Sequence, residues 1–251
     1  AESRSQHKSQ GFGVPATRGE SFEYFKASKG DQPVSDLLEG VEANWNRISG
    51  GDKISTAIDQ LIRNFDLLHP ENSVEGLVKL DQMMSSLPDG YWKTQKKKEL
   101  MELLVQCSGL FMDVTTTEQF AVQTDSLRFN FSFNNRLGSD IVLESVTLDD
   151  FDSSMVRRLE KNRNISFSKS LLIPADKPIT QPYWLAKKMQ EGYFDVTNQL
   201  LIGQADVQTS YNAFVSLKIY GETYRMAKPV RYKFTDPVKG ELYQPLVVVP
   251  P

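Results

Sequence analysis

Imidazole and thiol side chains, which serve most often as bases, nucleophiles and zinc ligands, are scarce in this sequence. There are two histidines, His7 and His69, and one cysteine, Cys107. His69 opens the string His69-Pro70-Glu71-Asn72, which has part of what a zinc loop needs. Such a loop uses an imidazole and a carboxylate as ligands and a second carboxylate to activate water. Here the ligand carboxylate is replaced by Asn72, a neutral amide, and a third ligand could come only from His7. His69 therefore reads as an ordinary helix-terminal residue. Cys107 falls on the apolar stripe of an expected helix, where a free thiol behaves as a small hydrophobe, and a Cys-His pairing has little raw material. Asp149 and Asp150, with Asp152 nearby, could act as acid and base or hold calcium. They lie in an expected turn without the glycine-and-glutamate frame of an EF-hand, so a solvated loop is the preferred reading.

Other strings are weaker. Lys96-Lys97-Lys98, followed by Glu99 and Glu102, is a solvated helix face. Gly11-Phe12-Gly13 has no preceding strand and no third glycine in register, so it is no dinucleotide fingerprint. Asn130-Phe131-Ser132 and Asn164-Ile165-Ser166 match the glycosylation triplet by chance. Trp45 and Trp92 belong to packing faces. Tyr183 and Trp184 are the candidate ligand-binding residues, because adjacent aromatics on an irregular excursion can stack on sugar rings. Their competing role is to pin that excursion to the body of the protein.

The totals limit the partners. The 251 residues suffice for one large or two modest cores, and the 39% hydrophobic and 24% charged fractions are those of a soluble globular protein. A net charge of −3 argues against nucleic acid and anionic membrane as partners, since both select a basic face. No apolar run approaches the roughly 20 residues that span a bilayer. The first ten residues, AESRSQHKSQ, are polar throughout and carry no targeting signal. One cysteine allows no internal disulfide, so packing alone must hold the fold.

The elements that would position any site follow from the hydrophobic rhythm, which changes near residue 113. Before it, apolar residues recur every three or four positions; after it they alternate, as at Leu127, Phe129, Phe131 and Phe133. The first period buries a helix stripe and the second a strand face. Residues 1–32 read as an irregular linker or docking segment with a short strand from Ser21 to Lys26. Residues 33–112 read as a small helical bundle. Its helices are a short one carrying Leu37, Leu38, Val41 and Trp45, then 53–67 capped by Asp52, one from Asn72 or Ser73 to Leu87, and 91–111. Ile54, Ile58, Leu61, Ile62 and Phe65 should form one continuous stripe on the second, and Leu100, Leu103, Leu104, Cys107 and Phe111 should be buried on the last. Residues 113–251 read as strands at 118–123, 126–134, 140–148, 164–173, 211–220, 223–226, 229–235 and 242–248. The expected fold is α+β: the helical bundle followed by an antiparallel immunoglobulin-like β-sandwich. The alternation lapses between Pro174 and Asp206, a long excursion of the kind that tends to carry binding.

Several unusual strings are spread over nearly the whole chain. They include His7-Lys8-Ser9-Gln10-Gly11-Phe12-Gly13, Arg18-Gly19-Glu20, Glu23-Tyr24-Phe25, Leu38-Glu39-Gly40-Val41 and Trp45-Asn46-Arg47. Gln181-Pro182-Tyr183-Trp184-Leu185, Leu201-Ile202-Gly203, the run Tyr232 to Glu241 and the ending Val249-Pro250-Pro251 complete the set. Together they resemble the region after the catalytic domain in large bacterial deacetylases of the PIG-L (LmbE-like) family. The resemblance implies that the first string closes a catalytic α/β domain whose zinc motif lies upstream of this chain. It implies a parent hydrolase that uses zinc to remove acyl groups from N-acylated amino sugars, in the periplasm or at the cell surface. This chain lacks the His-Pro-Asp-Asp-Glu loop, so by itself it should hold no cofactor and hydrolyse nothing.

The leading expectation is therefore a non-catalytic accessory region that packs on the catalytic domain of the same parent and helps position a carbohydrate substrate. It requires exposed apolar surface on residues 1–50. The alternative is a free-standing carbohydrate-binding or adhesive module with an aromatic platform at Tyr183 and Trp184. An independent hydrolase working through Asp and Glu would need two facing carboxylates about 5–10 Å apart, and no pair is visibly so arranged.

Overall fold

A computed structural model describes residues 6–11, 19–20, 22–30, 32–204 and 209–251. The chain divides into two compact units, Ala1–Ala43 and Asn44–Pro251.

Among its described residues the first unit has a 3-10 turn, Lys8–Gln10. The expected strand at Ser21 to Lys26 is absent from its described part: residues 22–26 are irregular. The expected helix beginning near Leu37 is absent as well. Asp36 Oδ1 accepts from the Leu38 amide at 2.8 Å, and Gly40 sits at φ 83°, so a side-chain turn and a left-handed residue displace the helix. Glu39 accepts from the amides of Val34 and Ser35, and those two bonds hold its carboxyl below the usual range.

The second unit begins with a 3-10 turn, Trp45–Arg47, capped by Asn44. Helix α1 (Asp52–Asn64) follows, then α2 (Val74–Ser85) and α3 (Tyr91–Cys107). The N-cap of α1 is Gly51, not Asp52; a Cβ at residue 51 would lie 1.9 Å from the Trp45 carbonyl oxygen, so only glycine fits. Gly76 lets α2 approach α1, where an added Cβ would meet Leu61 Cδ2 at 2.6 Å. Ile54, Val74, Leu77, Val78, Leu80, Met84, Leu100 and Leu104 are buried, and Cys107 is half-buried, with its thiol pushed up by desolvation. Ile62, Phe65 and Leu103 stay exposed, so the expected continuous stripe of α1 is buried only at its inner edge.

The last helix stops short of the expected 111. Gly109, at φ 61°, closes α3 with its amide on the Gln106 carbonyl, and Leu110 begins a strand. Eleven strands are described: β1 Leu110–Thr116, β2 Phe120–Val122, β3 Ser126–Asn135, β4 Ile141–Leu148, β5 Phe151–Arg158, β6 Asn164–Leu172, β7 Asn212–Ile219, β8 Glu222–Pro229, β9 Arg231–Asp236, β10 Gly240–Pro245 and β11 Val247–Val249. β5 was expected to be loop. Its alternation is carried by Phe151, Ser153 and Met155, a weak apolar set that suffices because an edge strand buries only one side.

The strands form a five-stranded sheet, β10-β9-β1-β3-β6, a four-stranded sheet, β5-β4-β7-β8, and a pair, β11-β2. Pairing is antiparallel except for two short parallel contacts, β1 with β9 and β2 with β11. The two larger sheets meet through one core. Phe131 of β3 lies 4.8 Å from Phe167 of β6 and 5.7 Å from Phe151 of β5, joining both sheets. The protein is thus α+β, with a sandwich of mainly antiparallel sheets joined to a helical segment by a continuous apolar cluster.

Candidate binding cleft

Asn135 fixes the β3–β4 corner. Its Nδ2 donates to the Ser139 and Leu159 carbonyls at 2.7 and 2.8 Å, and its Oδ1 accepts from the Gly138 amide. At the opposite end of β4 a two-residue turn, Asp149-Asp150, leads into β5. Asp149 takes φ 47°, a left-handed conformation that aspartate tolerates better than most residues.

Because β5 and β6 are the outer strands of their sheets, the sandwich is open between them. There lies a cleft of about 450 Å³, within the size range of small-molecule sites. Asp149, Asp150, Phe151 and Asp152 form one wall, Lys169 and Leu171 the other, and Tyr211 also lines it. Tyr211 is 2% exposed and packs its ring 5.4 Å from Phe129. Its hydroxyl is buried and has no hydrogen-bond partner among the described residues. Burial first, and the charge of Asp149 second, push that phenol up to about 12.

Lys177 touches two of the lining residues from outside. Its ammonium donates to Asp149 Oδ2 at 2.6 Å and stands 3.7 Å from the Tyr211 ring centroid. Gln123 Nε2 donates to the Lys177 carbonyl and steadies its backbone. Asp149 is thereby neutralised. Asp150 and Asp152 are exposed and have no ion-pair partner among the described residues. The three aspartates singled out in the sequence are thus brought together, although Asp152 sits on a strand and not in the expected loop. No local pattern signals that Tyr211 and Lys169, 42 residues apart, join them.

Tyr183 and Trp184 lie elsewhere, in a 3-10 turn of the excursion after Pro174. Both are half-buried, and their rings meet edge-on at 86° with centroids 4.9 Å apart. Tyr183 Oη accepts from the Gly203 amide at 3.3 Å. The geometry is that of two aromatics packing on one another, not of a flat shelf. The base of the excursion is clamped to β11: Thr180 exchanges hydrogen bonds with Val248, and Ser210 Oγ donates to the Leu246 carbonyl.

The remaining candidates are apart from the cleft. The His69 ring, largely exposed, stands 3.4 Å from Glu71 Oε1, and His7 belongs to the other unit. No group of three or more His, Cys, Asp or Glu able to hold a metal occurs among the described residues. No described helix is long and apolar enough to cross a membrane. One more polar cluster is structural in form: Asp113 of β1, 8% exposed, accepts from Tyr243 Oη at 3.1 Å and lies 3.7 Å from Arg231. It ties β1, β9 and β10 together. Lys228 nearby is held below its usual range by burial, with the charge of Arg231 adding to the effect.

Comparison with known proteins adds little. No protein-family model and no curated protein matches this chain. Among solved structures it is similar to the Pseudomonas fluorescens alkylpurine DNA glycosylase AlkC bound to DNA containing an abasic site analog. The identity is 7%, over 68% of this chain and 50% of that one, with a TM-score of 0.23. The chain thus spans about half the length of that relative, and so slight a likeness carries no argument about fold or function.

Proposed function

We propose that this chain is a non-catalytic accessory region of a PIG-L-type deacetylase, packing on the catalytic domain of its parent and holding carbohydrate for it. The sandwich is then immunoglobulin-like, and the parent works in the periplasm or at the cell surface. Zinc belongs to the upstream domain, where it would supply the hydrolytic water.

One observation carries the docking half of this reading. Phe22, Tyr24, Phe25, Val34, Leu37, Leu38 and Val41 are all exposed within twenty residues, and Tyr24 is 92% exposed. The described residues of that stretch form no strand or helix. A soluble chain keeps such a row of large apolar side chains in water only at a cost, and covering it by a partner is the usual resolution. The string resemblance implies a catalytic domain next to this segment, and that domain is the proposed cover.

The test is association. The domain encoded upstream is produced separately and titrated with the chain, with binding followed by calorimetry. Binding should occur and should weaken at least about tenfold when Phe22, Tyr24 and Phe25 are changed to serine, as expected for loss of interface anchors. Absence of a deacetylase domain upstream, absence of binding, or binding indifferent to the three changes each contradicts the proposal.

A further inference from the structure

We propose that the cleft between β5 and β6 binds a single hydroxyl-rich ring, neutral or amine-bearing, through Asp150, Asp152, Lys169 and the Tyr211 hydroxyl. The proposal rests on the reading of the sandwich as a carbohydrate-holding module and names the place where the sugar sits.

The observations that carry it are independent of the acidic turn alone. Nearly every buried hydroxyl in a folded protein finds a partner, because an unpaired one forfeits its bonds to water. Tyr211 is an exception, and it lines this cleft. Its unpaired hydroxyl has an acceptor and a donor to offer. Because the phenol stays protonated, it offers both over the whole physiological range.

The other groups set the class of ligand. Lys177 spends its charge on Asp149, leaving the carboxylates of Asp150 and Asp152 against the ammonium of Lys169. Two free carboxylates against one ammonium disfavour an anionic ligand and favour one rich in donors. Sugar hydroxyls donate to carboxylates and accept from an ammonium, and a ring amine pairs with a carboxylate directly. Phe151 and Leu171 supply the apolar patches on which the C–H face of such a ring rests. Lys177, whose ammonium stands over the Tyr211 ring, borders the tyrosine from the side of Asp149.

Saturation-transfer NMR on the full 251-residue chain, with glucosamine, glucose and glucuronic acid as probes, decides the matter. Glucosamine and glucose should receive saturation, and glucuronic acid should receive little. The double variant Asp150→Asn, Asp152→Asn should weaken glucosamine at least about tenfold, and Tyr211→Phe should weaken both sugars several-fold. Unfolding midpoints of the variants, unchanged or raised, show that the cleft and not the fold was altered. No transfer to glucosamine or glucose, transfer equal for glucuronic acid, or binding untouched by the aspartate changes overturns the proposal. A failure here leaves docking through Phe22, Tyr24 and Phe25 standing, because that association is measured without sugar.

Discussion

Two stretches of this chain are alike in composition and opposite in fate. In β3, Phe129, Phe131 and Phe133 alternate with polar residues and are fully buried. In residues 22–25, Phe22, Tyr24 and Phe25 show nearly the same rhythm and lie in solvent. The difference is in the neighbours. β3 has β1 on one side and β6 on the other, so its amides and carbonyls are paired and its phenylalanines face a second sheet. Residues 22–26 pair with no strand in the described structure. Alternation thus permits a strand; a partner makes one.

The sharpest way to break this comparison is to shave one ring from each stretch. Phe131→Ala should lower stability by about 3–5 kcal/mol through the cavity it leaves. Tyr24→Ala should change it by less than about 0.5 kcal/mol, as for other surface positions. Chemical denaturation measures both, and comparable losses would mean that residues 22–25 are packed in solution.

Next in size is the corner that ends β3. Asn135→Ala removes three hydrogen bonds and leaves two buried carbonyls unpaired, at a cost of about 2–4 kcal/mol. The same denaturation curves test it, and a loss below that of an exposed asparagine would contradict the account of the corner.

Tyr211, tilted against the first of the β3 phenylalanines, gives a pH signature. An unfolded tyrosine loses its proton near 10, whereas here the phenol is pushed up to about 12. Between those values the unfolded chain binds fewer protons, so stability is intact below pH 10 and falls as pH rises. The fall should reach roughly 2–3 kcal/mol at its end. Tyr211→Phe should remove this component, leaving a shallower slope between pH 10 and 12. Equal slopes would show that the hydroxyl is solvated.

Much of this was legible in the sequence, and the misses have physical causes. The strands of strong alternation, β3, β4 and β7, came through because one buried face writes a period of two into the chain. β1 has no clean alternation, because on its second face Asp113 is buried and Phe111 half-buried, and a lone Gly109 is all that marks the helix stop before it. β5 was hidden for the opposite reason, since its exposed face includes Val156 and its buried face includes a serine. Leu37, Leu38 and Val41 matched a helical template that Asp36 and Gly40 overrule locally. As to the cleft, Asp149, Asp150 and Asp152 were visible as a cluster, but their junction with Tyr211 depends on strand order, which no local pattern encodes.

A smaller effect concerns the entry to the helices. Gly51→Ala forces a methyl against the Trp45 carbonyl and should cost about 1–3 kcal/mol. Gly90→Ala, where a Cβ meets nothing, should cost less, only the modest penalty of alanine at a helix N-cap. Thermal unfolding of the pair checks this, and equal midpoints would contradict it.

If the proposed docking holds, the apolar row from Phe22 to Val41 is half of an interface. Amide hydrogen exchange measures it directly. In the chain alone, residues 22–41 should exchange at nearly the unprotected rate while β3 resists. Joined to the proposed catalytic domain, the same residues should be protected by about a hundredfold or more, as for structure held by a few kcal/mol. Exchange of residues 22–41 that stays equally fast in the longer protein would contradict the claim.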